Sequence, residues 1–231
     1  MADEFLTTRW SVIVRAQGED SGAMTAMEQL CRDVWRPLYA FARRWGCQPE
    51  DAEDMVQGFV ASLLARNSIA KMEAGRGRFR SFLLAGMRNH LSDAKSRRTA
   101  RKRGGGTGHV SLDAAAEQGY AALAVDGDTP ERAFERVWAM EVMARTRAKL
   151  GEECRASDKA AVFEALFPDS GEVESYAAVG ERLGLSETAL RSLAMRLRRR
   201  WRELIRAELA QTVTSGEALD EEMRALQAAL M

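Results

Sequence analysis

Residues 176–209, YAAVGERLGLSETALRSLAMRLRRRWRELIRAEL, show two helical periodicities separated by a short turn. The first places its apolar residues on one face of a short helix: Tyr176, Val179 and Leu183. Gly184 tolerates a positive φ and is expected to end that helix. Ser186 can cap a second helix, and Glu187 adds negative charge at its positive end. The stretch therefore predicts two helices joined by a tight turn.

The second helix of this pair is long and has two different faces. Its apolar residues form one stripe: Leu190, Ala194, Leu197, Trp201 and Leu204. The other faces carry polar and basic side chains: Arg191, Ser192, Arg196, Arg198, Arg199, Arg200 and Arg202. A helix-turn-helix with a guanidinium-rich outer surface fits a DNA major groove. A helical hairpin whose basic face is merely solvated is the alternative interpretation.

Length and composition exclude several classes of protein. The chain has 231 residues, which allows one large or two small domains. It lacks a run of about 18 apolar residues and an apolar signal core at its N-terminus, so we expect neither a membrane span nor secretion. Three cysteines without metal-ligand spacing indicate a reducing compartment, and we predict a cytoplasmic protein.

The charge of the chain is balanced overall but unevenly distributed. The formal net charge is zero. Residues 26–103 contain roughly twice as many basic as acidic side chains, whereas residues 104–135 and the C-terminal tail are net acidic. Basic blocks within a neutral chain favour a nucleic-acid partner over an acidic small molecule. Good helix-forming residues dominate and strand-like alternation is nearly absent, so we predict an all-α fold.

The first half of the chain contains three further helical patterns. Thr8 can cap a first helix, and a long second helix is expected over residues 23–45. Because Pro37 lies inside it, a kink or a break is expected near Trp35 and Arg36. The next helix begins at Pro49 with four acids in its first turns: Glu50, Asp51, Glu53 and Asp54. These acids suit a helix N-terminus electrostatically. A metal or acid–base site and an acidic docking surface are the alternatives that remain open.

Residues 74–106 combine basic and aromatic side chains. Arginines alternate with Phe79 and Phe82 after a glycine-rich loop, and a helix with a basic, polar outer face follows. Such alternation suits single-stranded nucleic acid, where bases stack on rings and phosphates need cations. A core helix with a solvated face is the alternative. The glycines lack a Lys-Ser/Thr ending and a preceding strand, so nucleotide binding is not expected.

The second half of the chain begins with a change of composition. Residues 104–129 are glycine-rich, acidic and weakly periodic, which predicts a flexible linker. Helices are expected from Pro130 onwards and over residues 158–167. A short amphipathic helix is predicted over residues 218–230, with Leu219, Met223, Leu226 and Leu230 on the side that packs against the domain or a partner.

Several motifs give the chain a resemblance to a known family. One domain of that family resembles three stretches of this chain: DAEDMVQ at 51–57, RFRSFL at 78–83 and RNHLSD at 88–93. A second domain resembles LSETALRS at 185–192 and RLR at 196–198. The sequence resembles bacterial RNA polymerase sigma factors of the extracytoplasmic-function (ECF) type. The likeness extends through KRGGG, SLD and TPERA, so it covers nearly the whole chain.

The resemblance implies three binding surfaces. Docking on the polymerase β′ subunit would involve Asp51, Glu53, Asp54, Val56 and Gln57. Binding of the melted −10 element would involve Arg78, Phe79, Arg80, Phe82, Arg88, Asn89, Ser92, Lys95, Arg97 and Arg98. Binding of the −35 duplex would involve Ser186, Thr188, Arg191, Ser192, Arg196, Arg199 and Arg200. Within the last set, Arg199 and Arg200 are expected on phosphates. The candidates for base edges or the groove are Thr188, Arg191, Ser192 and Arg196.

The resemblance also implies a domain plan. Residues 1–103 would form the domain that docks on polymerase and binds the −10 element. Residues 104–129 would link it to a helix-turn-helix domain at 130–210, and residues 211–231 would form a C-terminal extension. Two small helical domains on a flexible linker are therefore expected. The extension is a candidate for holding the two domains closed.

The sequence thus predicts a sigma factor that binds core RNA polymerase, through its β and β′ subunits, and promoter DNA, both duplex and melted. We expect no enzymatic activity, no cofactor, no bound metal and no membrane partner. An anti-sigma protein or a kinase is a candidate restraining partner. A helix-turn-helix regulator that binds operators without polymerase is the main rival. A metal-dependent nuclease using the acids of residues 51–54 is the second.

Overall fold

The computed structural model describes residues 21–65, 79–101, 127–168, 174–213 and 215–231. Every regular element in these ranges is an α-helix, which confirms the predicted all-helical class. In chain order the helices are α1 (Ser21–Trp45), α2 (Pro49–Ala65), α3 (Phe79–Arg101), α4 (Pro130–Ala156), α5 (Ala160–Leu166), α6 (Tyr176–Leu183), α7 (Glu187–Ala210) and α8 (Gly216–Ala229). The predicted helix at Thr8 and most of the predicted linker lie outside the described residues.

The chain divides into two compact units. One contains residues 1–141 together with 209–231, and the other contains residues 142–208. Helix α4 contributes its first part to one unit and its remainder to the other. The boundaries at residues 103, 130 and 210 that the resemblance implies remain a prediction.

Helix α1 is the central element of the first unit. A kink or a break is predicted near Trp35 and Arg36; the helix runs through Pro37, so the break is wrong, whereas the kink stays a prediction. Helical turns on both sides are held by packing, because Val34, Leu38 and Phe41 are buried on one stripe. That burial compensates for the one backbone hydrogen bond that a proline within a helix removes.

Helices α1, α2 and α3 pack against one another. The inner face of α2 is formed by Val56 and Phe59, and that of α3 by Leu83 and Met87. Gly86 allows close approach of α2 and α3, because a Cβ atom there would lie 2.9 Å from the Phe59 ring. The inward positions of α3 follow the helical period of its apolar residues.

The start of α4 belongs to the first unit and is fixed by polar contacts. Thr129 Oγ1 accepts a hydrogen bond from the Arg132 backbone N–H at 3.2 Å, and Pro130 occupies the first helical position as predicted. Arg44 of α1 donates to the Asp128 carbonyl at 2.6 Å. The aromatic ring of Phe134 stacks on Trp138 in the buried face of this segment.

The second unit is built from the rest of α4 with α5, α6 and α7. Its core contains ten buried residues: Leu150, Cys154, Val162, Phe163, Ala165, Leu166, Val179, Leu190, Ala194 and Leu197. The inner stripe predicted for α7 is confirmed, because Leu190, Ala194 and Leu197 are buried while Trp201 and Leu204 pack partly against this core. Helix α5 lies within the predicted residues 158–167 and ends before Pro168.

Helix α8 falls in the first unit. Ser215 caps it by accepting a hydrogen bond from the Ala218 N–H at 3.2 Å. The predicted inner face is only partly correct, since Leu219 and Leu226 are buried but Leu230 is exposed. Glu222 takes the third buried position, because it stands on the same side of the helix as the two leucines. A buried carboxylate replaces the all-apolar stripe expected from sequence.

Candidate nucleic-acid interface

The turn between α6 and α7 depends on two glycines. Gly184 caps α6 with a φ of 67°, the left-handed conformation expected at this position. The Leu185 N–H then donates to the Gly180 carbonyl at 2.9 Å. A Cβ atom on Gly180 would lie 2.6 Å from the Leu185 carbonyl oxygen. Gly180 therefore permits the close return of the chain that sets the start of α7.

Capping fixes both helices of this pair at their first turns. Ser175 Oγ accepts from the Ala178 N–H, and Ser186 Oγ accepts from the Ala189 N–H, each at 3.2 Å. The second contact confirms the predicted cap of α7. Because a cap satisfies a backbone donor that has no partner within the helix, both starting points are specified locally.

The long α7 helix is held to α4 by polar contacts inside the second unit. Trp201 Nε1 donates to Thr146 Oγ1 at 2.9 Å. Glu208 is buried and accepts from Arg145 at 3.1 Å and from Lys149 at 2.6 Å. Removing a carboxylate from water is costly, and the two cationic partners of Glu208 offset that cost, whereas a lone buried charge would have no such compensation. These contacts fix which face of α7 turns inward.

The outer face of α7 is strongly basic and exposed. The exposed arginines of this helix are Arg191, Arg196, Arg198, Arg199, Arg200, Arg202 and Arg206. The three polar side chains predicted to face DNA are exposed as well: Ser186, Thr188 and Ser192. All seven residues predicted for the −35 duplex therefore lie at the surface of one helix and its cap. The helix presents donors of the kind that bind phosphates and base edges.

Three of these arginines also contact acids of the second unit, and the longest of these contacts joins Arg199 to Glu203 at 3.8 Å. Arg200 donates to Glu153 at 2.7 Å and 2.9 Å, and to Glu203 at 3.3 Å. The hydrogen bond from Arg200 lowers the pKa of Glu153 and raises the pKa of the guanidinium. Arg191 bonds to Glu187 and lies over the Tyr176 ring at 5.6 Å. The side chains of Arg191 and Arg200 are thus oriented before any ligand binds.

Sequence reasoning missed one apolar side chain on this face. Met195 is 72% exposed, between the turns that carry Arg191 and Arg199. The exposure of Met195 could have been predicted from the sequence, because its position in the helical period falls outside the apolar stripe that begins at Leu190 and Ala194. An apolar side chain there can contact the methyl group of a thymine.

The residues predicted for the melted −10 strand fall into two groups. Asn89, Ser92 and Lys95 are exposed on α3, and Phe82 is half-buried. Phe79 and Arg80 are buried at the start of the same helix. Arg78 lies outside the described residues, as do the side chains of Arg97 and Arg98. Among the described residues of this set, the exposed group forms a polar surface together with the exposed Arg88.

Acidic side chains of the first unit contact Arg80 and Arg88, the two arginines of this set whose side chains the structure describes. Arg80 pairs with Glu222 of α8 at 3.3 Å and with Glu135 of α4 at 3.5 Å. Arg88 donates a hydrogen bond to Glu131. Burial raises the pKa of Glu131, but the hydrogen bond and charge of Arg88, together with hydrogen bonds from the Glu131 backbone and Thr129, hold this pKa below its ordinary value.

The residues predicted for polymerase docking also divide by exposure. Asp54 and Gln57 are exposed and Asp51 is partly exposed near the start of α2. Val56 is fully buried and Glu53 is 5% exposed. A partner protein at this surface would touch the first three side chains, while Val56 supports the helix from within. The acidic N-terminus of α2 matches the charge preference of a helix start.

The described part of the chain contains no group of three or more Cys, His, Asp or Glu side chains placed to hold a metal ion. Within the same ranges, no helix combines the length and apolar character needed to cross a bilayer. Compared with family models, with curated proteins and with solved structures, the chain matches none.

Proposed function

We propose that this protein is a sigma factor of the extracytoplasmic-function type, which binds core RNA polymerase and directs it to promoters. One observation carries the proposal. Helices α6 and α7 are joined by a glycine turn, pack on a shared core and present a continuous exposed arginine face on the second helix. This combination supports a helix-turn-helix that places α7 in a DNA major groove.

In the proposed function α7 binds the −35 duplex. Thr188, Ser192 and Arg196 contact base edges or enter the groove, because they are polar and exposed. Arg199 and Arg200 bind phosphates and set the register of the helix on the duplex. The contact between Arg200 and Glu153 holds that guanidinium at the surface, where a phosphate can exchange with a carboxylate.

The polar face of α3 holds the melted −10 strand. Asn89 and Ser92 offer hydrogen-bonding groups to bases, and Lys95 offers a cation to a phosphate. Extruding a base costs a few kcal/mol. Stacking contributes about 1–3 kcal/mol per base, so stacking on the half-buried Phe82 ring can offset that cost, while the buried Phe79 supports the start of α3.

The start of α2 binds polymerase. Asp51 and Asp54 give this surface negative charge, and Gln57 continues it along the helix. The resemblance assigns a basic coiled coil of the β′ subunit as the partner. Opposite charges of this kind raise the rate of encounter and fix the orientation of the complex.

Transcription in vitro tests the proposal. Core polymerase from the source organism is mixed with the purified protein and a library of upstream DNA fragments, and the transcripts are mapped. We expect start sites that appear only when the protein is added, with shared sequence upstream of them. Duplex binding without core binding or new transcripts would instead identify an operator-binding regulator.

A further inference from the structure

Helix α8 packs into the first unit through a mixed face. Leu219 and Leu226 are buried, and Glu222 between them is 3% exposed. Burial of two leucines stabilises the docked helix by removing apolar area from water. A buried carboxylate has the opposite effect unless a cation meets it. The position of Glu222 therefore needs a partner on the surface that α8 covers.

The partner is a side chain that the proposed function assigns to DNA. Arg80 lies 3.3 Å from Glu222 and 3.5 Å from Glu135, and its side chain is 7% exposed. A guanidinium binds carboxylates and phosphates through the same planar set of donors. The two acids thus occupy the region around Arg80 that the phosphates of a melted strand would need.

Helix α4 makes two further contacts with the same set of residues. Glu131 accepts a hydrogen bond from Arg88. The ring of Phe79 lies 6.3 Å from that of Trp138, and Phe79 is 3% exposed. A base cannot stack on a ring that is already covered. By contrast, Asn89, Ser92 and Lys95 stay exposed further along α3.

We propose that α8 is an internal competitor of the melted DNA strand, with Glu222 holding Arg80 in place of a phosphate. This inference rests on the proposed function. In the docked state, the exposed part of α3 stays open to a strand, whereas the Arg80 guanidinium is covered. Release of α8 frees the Arg80 guanidinium, and DNA binding and release of α8 favour each other because both involve the same side chain.

The test measures strand binding by full-length variants. The probe is a labelled random-sequence DNA strand about 16 nucleotides long, followed by fluorescence anisotropy. Glu222→Gln removes the buried charge but keeps the side-chain shape. Glu217→Gln is the matched control, because it makes the same charge change at an exposed position of the same helix. Glu135→Gln tests the second acid at a more exposed position, with less risk to folding.

We expect E222Q to bind the strand about tenfold more tightly than the unchanged chain, as when the competent fraction rises from about a tenth to nearly one. E135Q should tighten binding less, and E217Q should leave it unchanged. Hydrogen exchange of the α8 amides should become faster in E222Q and stay slow in E217Q.

Two results would overturn this role of α8. One is faster exchange of α8 in E222Q with unchanged strand affinity in both E222Q and E135Q. The other is an equal gain of affinity in E217Q, which would show only the effect of net charge. Promoter-dependent transcription by the unchanged chain tests the sigma-factor proposal separately. If transcription succeeds and either of these two results is found, only the competitor role of α8 is wrong. Absence of both transcription and strand binding would remove both.

Discussion

Glu208 and Glu222 show how a single buried carboxylate specifies the position of a helix. Each lies on the inner side of an amphipathic helix, and each meets cations from elsewhere in its own unit. Their contribution is mainly specificity, because desolvation offsets much of the attraction in a buried ion pair. Removing the carboxylate would leave buried or half-buried cations with fewer partners, which is the larger cost.

A pH-dependent contribution is expected from Glu153. Its pKa lies below the ordinary value of 4.5 because Arg200 donates hydrogen bonds to it. The contact therefore stabilises the fold fully above the unfolded pKa and is lost as the pH falls through the folded pKa. Both side chains are largely exposed, so the contribution should stay below about 1 kcal/mol.

The measurement compares melting temperatures of Glu153→Gln and the unchanged chain across a pH series. We expect E153Q to melt lower at neutral pH, with the difference shrinking as the pH falls below 4.5. Glu152→Gln alters an exposed neighbour and serves as the control. A difference that grows in acid would contradict the assigned contact.

At the scale of elements, local signals account for most helix ends in the second unit. Helix α6 ends at Gly184, helix α7 is capped by Ser186, and helix α5 ends before Pro168, which cannot continue it. The need for glycine at position 180 is not a local signal. It arises because the Leu185 carbonyl lies close to Gly180, not from the sequence of α6 itself.

The two glycines of the turn should respond differently to substitution. Gly180→Ala forces a Cβ atom against backbone and should cost about 2–3 kcal/mol, as overpacking does. In Gly184→Ala the added Cβ atom lies in open space, so the only cost is that alanine disfavours the left-handed φ. We expect the free energy of unfolding to fall by about 1 kcal/mol. Urea denaturation of both variants measures the order. A larger loss in G184A would show that the turn relaxes easily around residue 180.

Salt dependence tests the basic face of α7 as a phosphate-binding surface. Arg199→Ala should weaken binding to random duplex DNA and reduce the slope of log affinity against log salt by about 0.9, the value for one phosphate contact. Arg155→Ala removes an exposed arginine from the end of α4 and should leave the slope unchanged. Equal effects of the two variants would mean that net charge alone governs binding.

At the scale of the whole molecule, acidic and basic surfaces are assigned to different partners. The acidic start of α2 lies in the first unit, whereas the basic face of α7 lies almost entirely in the second. The zero net charge of the chain conceals this separation. In the proposed function, the acidic surface binds a basic protein surface and the arginine face binds a polyanion, as their opposite charges favour.

Charge reversal at α2 should separate these two activities. In Asp51→Lys/Asp54→Lys we expect core polymerase binding to weaken about tenfold, because complementary charges become like charges. Glu152→Lys/Glu164→Lys makes the same net change at exposed positions of the second unit. Duplex DNA binding should be equal in the two double variants. Equal polymerase affinity in both would contradict docking at α2.

The sequence by itself determined the all-helical class, the turn at Gly184, the cap at Ser186 and the inner stripe of α7, because helical period, caps and glycine are local signals. Only the tertiary structure decided that α1 continues through Pro37 and that Arg80, Phe79 and Glu222 are buried. A charged residue is assigned to the surface by its own solvation, which favours water by several kcal/mol. Its burial requires an oppositely charged partner, and the buried partner of Arg80, Glu222, lies 142 residues away in the chain.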